Sequence, residues 1–362
     1  MPQQKALAIP SQAAPYTLIS KPIPTPGPSE VLVKIEGIAL GPLESKLPSI
    51  PSALDMFGPY PIFTGTDAAG VVEQVGENVK RLKKGDRVVF QGWFLPDYTS
   101  FQQYAVADEN IVVKLPSTIS TLEASSILVS LVTAAFGFAL PNPATPSLTE
   151  TAKGFNVSFF LNGRAGAGIK PFWEEGAKGT KSGEPIVIFG GSSSVGQFAI
   201  QIAKHLGYSP IITTSSLKHT DYLKHLGATD VIERTASAAD IRDLAQGKQF
   251  NTVFDAVGVI NQAYVDLLAP QGTFIVALPV SPDLEFRDGR KAANSLGAAH
   301  VFKELGLGLM EKLEGLLESG VIQPNRVEKV SGGLAGIPGA VARLQKEGVS
   351  GVKLVVDPRE TP

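Results

Sequence analysis

The 362-residue sequence contains no cysteine. Disulfides, thiolate nucleophiles and cysteine-ligated zinc are therefore excluded outright. Histidine is scarce as well. The four are His205, His219, His225 and His300, none pairs with another at ligand spacing in the first part of the chain, and all read as helix-surface residues. Neither sign of charge is in surplus: the formal net charge is −2, which leaves no electrostatic footprint for nucleic acid or an anionic membrane. The uncharged and proline-free run Ala124 to Leu140 is slightly short for a membrane span and carries serine and threonine. A buried core helix is expected there. The opening "MPQQKALAIPSQ" lacks the apolar core of a secretory signal, so a cytoplasmic protein is expected.

What is present is ample apolar material. At 43% hydrophobic, the chain can bury a sizeable core, and its length favours two domains. The first part reads as short strands. "EVLVKIEGIAL" alternates, "AAGVVEQVG" and "GDRVVF" follow, and "SFQQYAVADENIVVKLP" holds two more candidates. Glycine and proline punctuate them, as in a small irregular barrel or sandwich. Pro141 to Lys181 is rich in Gly, Pro and Thr and poorly periodic. It reads as a surface excursion, with a short hairpin around "NVSFFL". From Ile186 strands and helices alternate: "IVIF", "PIITT", "DVIE", "NTVFDAVG" and "GTFIVAL" are separated by helical patterns. That alternation predicts an α/β, doubly wound parallel sheet. Two helices, near Val301–Ser319 and Ile337–Lys346, and a strand "GVKLVVD" complete the chain.

The first turn of the alternating part is the most telling. In "PIVIFGGSSSVGQFAIQIAKHLGYSP", Val195, Phe198, Ala199, Ile202, Ala203 and Leu206 form one helical face, and Gly207 stops it. The turn thus lies between a strand's end and a helix's start, where free N–H groups bind phosphate. Gly191, Ser193 and Gly196 occupy the spacing of the dinucleotide fingerprint, with serine at the middle position. Ser192, Ser193, Ser194 and Val195 are the expected diphosphate-binding residues. A site for NAD usually carries an acidic residue about 20 positions on. Here Thr214, Ser215, Ser216 and Lys218 stand instead, and Asp221 falls inside the next helix. Hydroxyls and a cation suit a 2′-phosphate, so NADPH is expected.

With these motifs in view, nearly the whole chain outside Pro141 to about Lys170 resembles the medium-chain dehydrogenase/reductase superfamily. "GTDAAGVVEQVGENVKRLKKGDRVV", "GGSSSVGQFAIQIAKHLG", "FDAVG" and "GVSGVKLVV" carry the likeness. The resemblance implies a GroES-like β-rich domain (1–130), a Rossmann domain (131–302, with an insertion at about 141–181) and a return to the first domain (303–362). Zinc-dependent members have Gly-His-Glu where this chain has Gly65-Thr66-Asp67. The chain is most similar to the zinc-free branch, and within it to the trans-acting enoyl reductases of fungal polyketide pathways.

That branch implies reduction of a C=C bond conjugated to a carbonyl, in a free or carrier-bound small molecule, by a monomer or homodimer. Quinone reduction, or NADPH binding without catalysis, are the alternatives. Matching segments suggest Lys46 (in "IALGPLESK") and Thr133 (in "SLVTAAFGF") as catalytic. A surface lysine and a backbone-bonded helix hydroxyl are their plain readings. Where the group has Asn-Pro, this chain has Gly41-Pro42, and no proton donor can be named. Tyr222, Val257, Ala277, Leu278 and Gly351 are further expected cofactor contacts. Lys353 lies in the same closing segment and equally reads as a strand-surface charge. Phe57, Tyr60, Trp93, Phe94 and Tyr98 are candidate substrate-pocket aromatics, with a core role the plainer reading for many. Asp67 is expected to bond to backbone.

Overall fold

Strands come first because β-branched residues alternate with small or polar ones over the opening hundred or so positions. The computed structural model describes residues 2–46, 59–153, 165–278, 280–346 and 348–362. In the first lobe β1 (Gln3–Ile9) pairs antiparallel with β2 (Thr17–Pro22). The ten-residue β3 (Glu30–Ala39) is followed by the short helix α1 (Pro42–Lys46). Then come β4 (Ile62–Phe63), β5 (Asp67–Val75), β6 (Arg87–Gln91), β7 (Tyr104–Asp108) and β8 (Val112–Lys114). β3 is central. It pairs antiparallel with both β5 and β7, which explains why its residues are buried almost throughout rather than on alternate positions.

Helix α2 (Thr121–Ala124) starts at Ser120, which forms a capping box with Glu123. Helix α3 (Leu128–Ala139) is nearly all apolar and nearly all buried. The stretch Thr121–Ala139 is long and apolar enough to cross a membrane by length and composition, yet 83% of its window is buried inside the protein. It is the core helix expected from the sequence. Its residues share one hydrophobic cluster with Phe198, Ala199 and Ile202 of the following lobe. Each such fully buried large side chain contributes about 1.5–3 kcal/mol.

The second lobe alternates as expected: β9 (Ile186–Phe189), α4 (Ser194–Leu206), β10 (Ile211–Thr214), α5 (Thr220–Leu226), β11 (Asp230–Ile232), α6 (Ala238–Leu244), β12 (Phe250–Asp255), α7 (Gln262–Val265), β13 (Leu268–Val276) and β14 (Lys291–Asn294). The strands are all parallel, in the order β11-β10-β9-β12-β13-β14. This is the doubly wound Rossmann order, with its switch point between β9 and β12. Two readings are corrected. β13 is not the last strand, because β14 extends the sheet. The helical pattern before "GTFIVAL" is shorter than its spacing implies: α7 closes after Val265, and Leu268 to Pro270 already belong to β13.

Helix α8 (Lys303–Glu318), β15 (Val327–Val330), α9 (Ile337–Lys346) and β16 (Lys353–Val356) follow. β16 pairs antiparallel with β3, joining the late part of the chain to the first sheet.

The reading of Pro141 to Lys181 as a surface excursion needs correction at a few anchors, although most of its described residues are exposed or half-buried. Thr149, Ala152, Ala165, Phe172, Trp173 and Ala177 are buried. The Thr149 N–H donates to the His300 carbonyl, and Lys303 N–H to that of Ser147. Composition misled because few residues anchor this stretch, two aromatics (Phe172 and Trp173) among small ones. The hairpin expected around "NVSFFL" lies outside the described residues.

Candidate active site

The turn between β9 and α4 has the geometry of an anion cradle. Ser193 is the N-cap of α4, and its side chain accepts from the Gly196 N–H at 3.0 Å. The serine at the middle fingerprint position therefore serves the helix start. Among the described residues the N–H groups of Ser194 and Val195 have no partner, as the first amides of a helix do. A Cβ on Gly196 would lie 2.2 Å from the Gly190 carbonyl oxygen, so the turn can be this tight only with glycine there. Gly191 N–H donates to the Thr214 carbonyl, and Gly190 N–H to Thr214 Oγ1 at 3.1 Å. Thr214 is thus engaged in holding the turn. Gly351 closes over it: its N–H donates to the Ser192 carbonyl at 3.1 Å. Ser350 Oγ, beside it, lies 3.0 Å from His219 Nε2.

Beyond β10 the chain opens onto a cleft of about 610 Å³ lined by Glu123, Lys218, His219, Asn325, Arg326, Val327 and Val352. Lys218 and Arg326 are both exposed, and among the described residues neither forms an ion pair. The Arg326 guanidinium lies 3.7 Å from the centre of the Tyr222 ring. The Tyr222 hydroxyl donates to Gln197 Oε1 on the first turns of α4. His219 is driven below the ordinary imidazole range, first by burial and then by the charges of Lys218, Arg326 and Arg234. Asn325 is buried, its Nδ2 donates to Gln197 Oε1, and its Oδ1 has no partner. Ser215 Oγ is also buried and unpartnered. Two cations and a single carboxylate, Glu123, stand here beside a helix N-terminus and orphaned polar atoms, an arrangement that can take an anionic group.

The floor of the site is built where the lobes meet. Thr133 Oγ1 donates to the Val129 carbonyl at 2.7 Å, and a Cβ on Gly297 would lie 2.1 Å from it. Ser295 Oγ donates to the Thr133 carbonyl. Gln91, ending β6, reaches across: its Nε2 donates to the Gly297 carbonyl at 2.6 Å and its Oε1 accepts from Ala299 N–H at 2.9 Å. The Gln91 carbonyl lies 3.2 Å from His300 Nε2, and Thr149 Oγ1 lies 3.1 Å from Nδ1. His300 is therefore a buried seam residue, and His219 is buried too, which corrects their reading as helix-surface residues.

Lys353 corrects the surface reading more sharply. Its side chain is 4% exposed, and Nζ lies 3.0 Å from Asp67 Oδ2 and 3.3 Å from Ser130 Oγ. Asp67 does bond to backbone, accepting from Val129 N–H through Oδ1 at 2.9 Å, but it also holds this lysine.

Two family models match the chain: "Alcohol dehydrogenase GroES-like domain" over residues 27–117 and "Zinc-binding dehydrogenase" over residues 194–283. The chain belongs to the medium-chain dehydrogenase/reductase superfamily. It is an oxidoreductase of a fold that binds a nicotinamide dinucleotide. Curated relatives include the dehydrogenase azaJ of Aspergillus niger, 29% identical, covering 98% of this chain and 99% of the relative. The trans-enoyl reductase tndF of Aspergillus flavipes is 28% identical over the same shares. Among solved structures, an alcohol dehydrogenase superfamily protein from Novosphingobium aromaticivorans superposes with a TM-score of 0.77 at 22% identity, covering 98% of this chain and 99% of that one.

Within this medium-chain oxidoreductase the expected residues divide into those at the β9–α4 turn and those elsewhere. Ser192 to Gly196, Tyr222 and Gly351 gather around the turn, with Thr214 and Ser215 behind it, Lys218 at the cleft and Ser216 two residues before it, half-buried. Ala277 donates to the Asp255 carbonyl at the end of β13, beside Leu278, and Val257 is exposed near Gly190. Lys46 is exposed at the end of α1. Trp93 and Phe94 are core residues, with Trp93 packed against Phe94 and His300. Tyr98 donates to Glu30, Tyr60 is exposed, and Phe57 lies outside the described residues. The sequence reading missed Arg326, Asn325, Gln91 and Glu44. Arg326, Asn325 and Gln91 sit in no motif and enter the site through folding alone, whereas Glu44 lies in the matching segment "IALGPLESK" beside Lys46.

Proposed function

We propose that this medium-chain oxidoreductase uses NADPH to reduce the C=C bond of an α,β-unsaturated carbonyl compound, free or carrier-bound, and that it does so without zinc. The observation that carries the reading is the cationic cleft at the end of β10. Lys218 and Arg326 line it with one carboxylate, Glu123, which is engaged in the capping box of α2, and the first carboxylate after the strand is Asp221, inside α5. A 2′-phosphate satisfies two unpaired cations, whereas a 2′-hydroxyl seeks a carboxylate at the end of the second strand, where this chain has Thr214, Ser215 and Ser216.

The cofactor supplies a hydride when bound. The chain's residues do the rest. Ser194 and Val195 N–H groups hold the diphosphate, aided by the dipole of α4. Ser215 Oγ and Asn325 Oδ1 find partners on the ribose side. Thr133, Ser295 and Gly297 shape the floor for the nicotinamide. Hydride addition at the β-carbon places charge on an enolate oxygen, and a hydrogen-bond donor aimed there contributes about 3 kcal/mol.

The donor set does not fit zinc. Thr66 stands in the Gly-Thr-Asp segment, there is no cysteine, and among the described residues no group of three His, Cys, Asp or Glu could hold a metal. No step is routed through one. Conjugate reduction needs less electrophilic help than reduction of an isolated ketone, which favours it for such a site. The names of the relatives, including trans-enoyl reductases, lend support.

The test is NADPH oxidation by purified protein with enals, enones, enoyl thioesters and quinones. A saturated product from an enone or thioester is expected. Turnover with quinones alone, or binding of NADPH with no turnover, refutes the proposal.

A further inference from the structure

Glu44, Asp67 and Lys353 are buried together in the first lobe, and their charges do not balance. They are 3%, 3% and 5% exposed. Lys353 pairs with Asp67, and that pair is neutral. Glu44 is left over. Its Oε2 accepts from Gly41 N–H at 2.9 Å, and its Oε1 lies 3.3 Å from Thr66 Oγ1.

The ionisable groups that act on Glu44 or feel its charge are Lys353 from β16, Asp67 from β5 and Tyr16 from the loop before β2. The Tyr16 phenol is pushed up to about 12, chiefly by burial, and stays neutral. One ammonium thus serves two carboxylates. A second buried negative charge without its own cation is expensive, and binding a proton removes it. Burial drives the Glu44 carboxyl above its ordinary range, the Asp67 charge adds to this, and Lys353 and the backbone N–H groups offset part of it.

The acid's place matters as much as its charge state. Gly41 is partly exposed, and a Cβ there would lie 3.3 Å from Glu44 Oε2 and 3.8 Å from Lys353 Nζ. Glycine therefore leaves the acid uncovered by any side chain of residue 41. Ser130, which bonds Lys353, sits about one helical turn before Thr133 on α3. The cluster thus adjoins the floor where the lobes meet.

We propose that Glu44 is stored as a neutral carboxylic acid and is the source of the proton that completes the reduction. The inference rests on the reductase reading above. After hydride has bonded to the β-carbon, the former π electron pair resides on the enolate. The Thr66 hydroxyl donates its proton to the α-carbon and takes one from Glu44. A C–H bond forms, the Glu44 O–H bond breaks, and the substrate has gained a hydride and a proton. The new Glu44 carboxylate is countered by Lys353 until a solvent proton restores the acid.

Two readouts test this. Infrared difference spectra of the full chain at pH 8 should show the carbonyl band of a protonated carboxylic acid, lost in Glu44→Gln and shifted in Glu44→Asp. Glu44→Gln should lower kcat at least about 100-fold with the KM for NADPH unchanged. Glu44→Asp should recover part of the loss with a displaced pH profile. Should Glu44→Gln not fold, Glu44→Asp carries both readouts. Absence of the band from the wild-type chain overturns the proposal, and so does wild-type kcat in Glu44→Gln. A wild-type chain that reduces no enal, enone or thioester fails the reductase reading, and with it the proton's use. The band still decides the charge state by itself.

Discussion

Lowering the pH from 7 to 5 should cost this chain about 2 kcal/mol of stability through one side chain, His300. Burial holds the imidazole down to about 4, against 6.5 for the free group. Between those values the unfolded chain binds a proton that the folded chain refuses, so stability rises with pH across the window. The contribution is fully retained above pH 6.5, is lost progressively as the pH falls, and levels off below about 4. The whole span amounts to about 3 kcal/mol, of which about 2 is lost by pH 5. Because His300 and Gln91 brace the segment that carries Gly297, the strain of protonation falls on the seam between the lobes. The assay is urea unfolding followed by circular dichroism at half-unit steps from pH 4.5 to 7.5, for wild type and His300→Gln. The variant should be less stable at pH 7, having lost its packing on Trp93, but its curve should be flatter by about 2 kcal/mol between pH 7 and 5. Parallel curves would refute the reasoning, since carboxylates elsewhere titrate alike in both proteins.

Lys353→Met leaves Asp67 charged and unpaired in the interior and should cost about 3–5 kcal/mol in urea unfolding. Ser193→Ala removes the N-cap of α4 and should cost about 1 kcal/mol, visible as a lower thermal midpoint. Arg326→Ala and Lys218→Ala should each lower the preference for NADPH over NADH by about tenfold, or about 1.4 kcal/mol, in fluorescence titrations of both nucleotides. A preference unmoved in both variants would remove the cleft from the cofactor site.

Periodicity and turn chemistry made much of this fold legible. The bounds of α4 followed from one apolar face and Gly207, and Ser194–Leu206 is what the structure contains. The parallel sheet followed from the spacing of short apolar runs. Strand β14 was hidden because "KAAN" has no β-branched residue and owes its conformation to pairing with β13. The buried part of Pro141 to Lys181 was hidden because its anchors, Phe172 and Trp173, sit among glycines and charges.

At the site, the phosphate turn was legible because its chemistry is local. Lys353 was not, since a lysine in a strand is ordinarily solvated and its partner Asp67 lies far back in the chain. Arg326 and Asn325 were invisible for the same reason. Lys46, by contrast, sat in a matching segment, while it is Glu44, within the same helix, that is buried beside the charges.

The pairing of β16 with β3 has a consequence for biosynthesis. Val355 and Val356 line up with Ala39 and Ile38, so the first sheet waits for residues made some three hundred positions later. A ribosome delivers the whole nucleotide-binding lobe before it delivers that edge. The nascent first lobe must meanwhile keep Asp67 and Glu44 without their ammonium. Folding of this half is therefore tied to translation of the closing segment, and trimming the chain before Lys353 would strip a strand from the half made first.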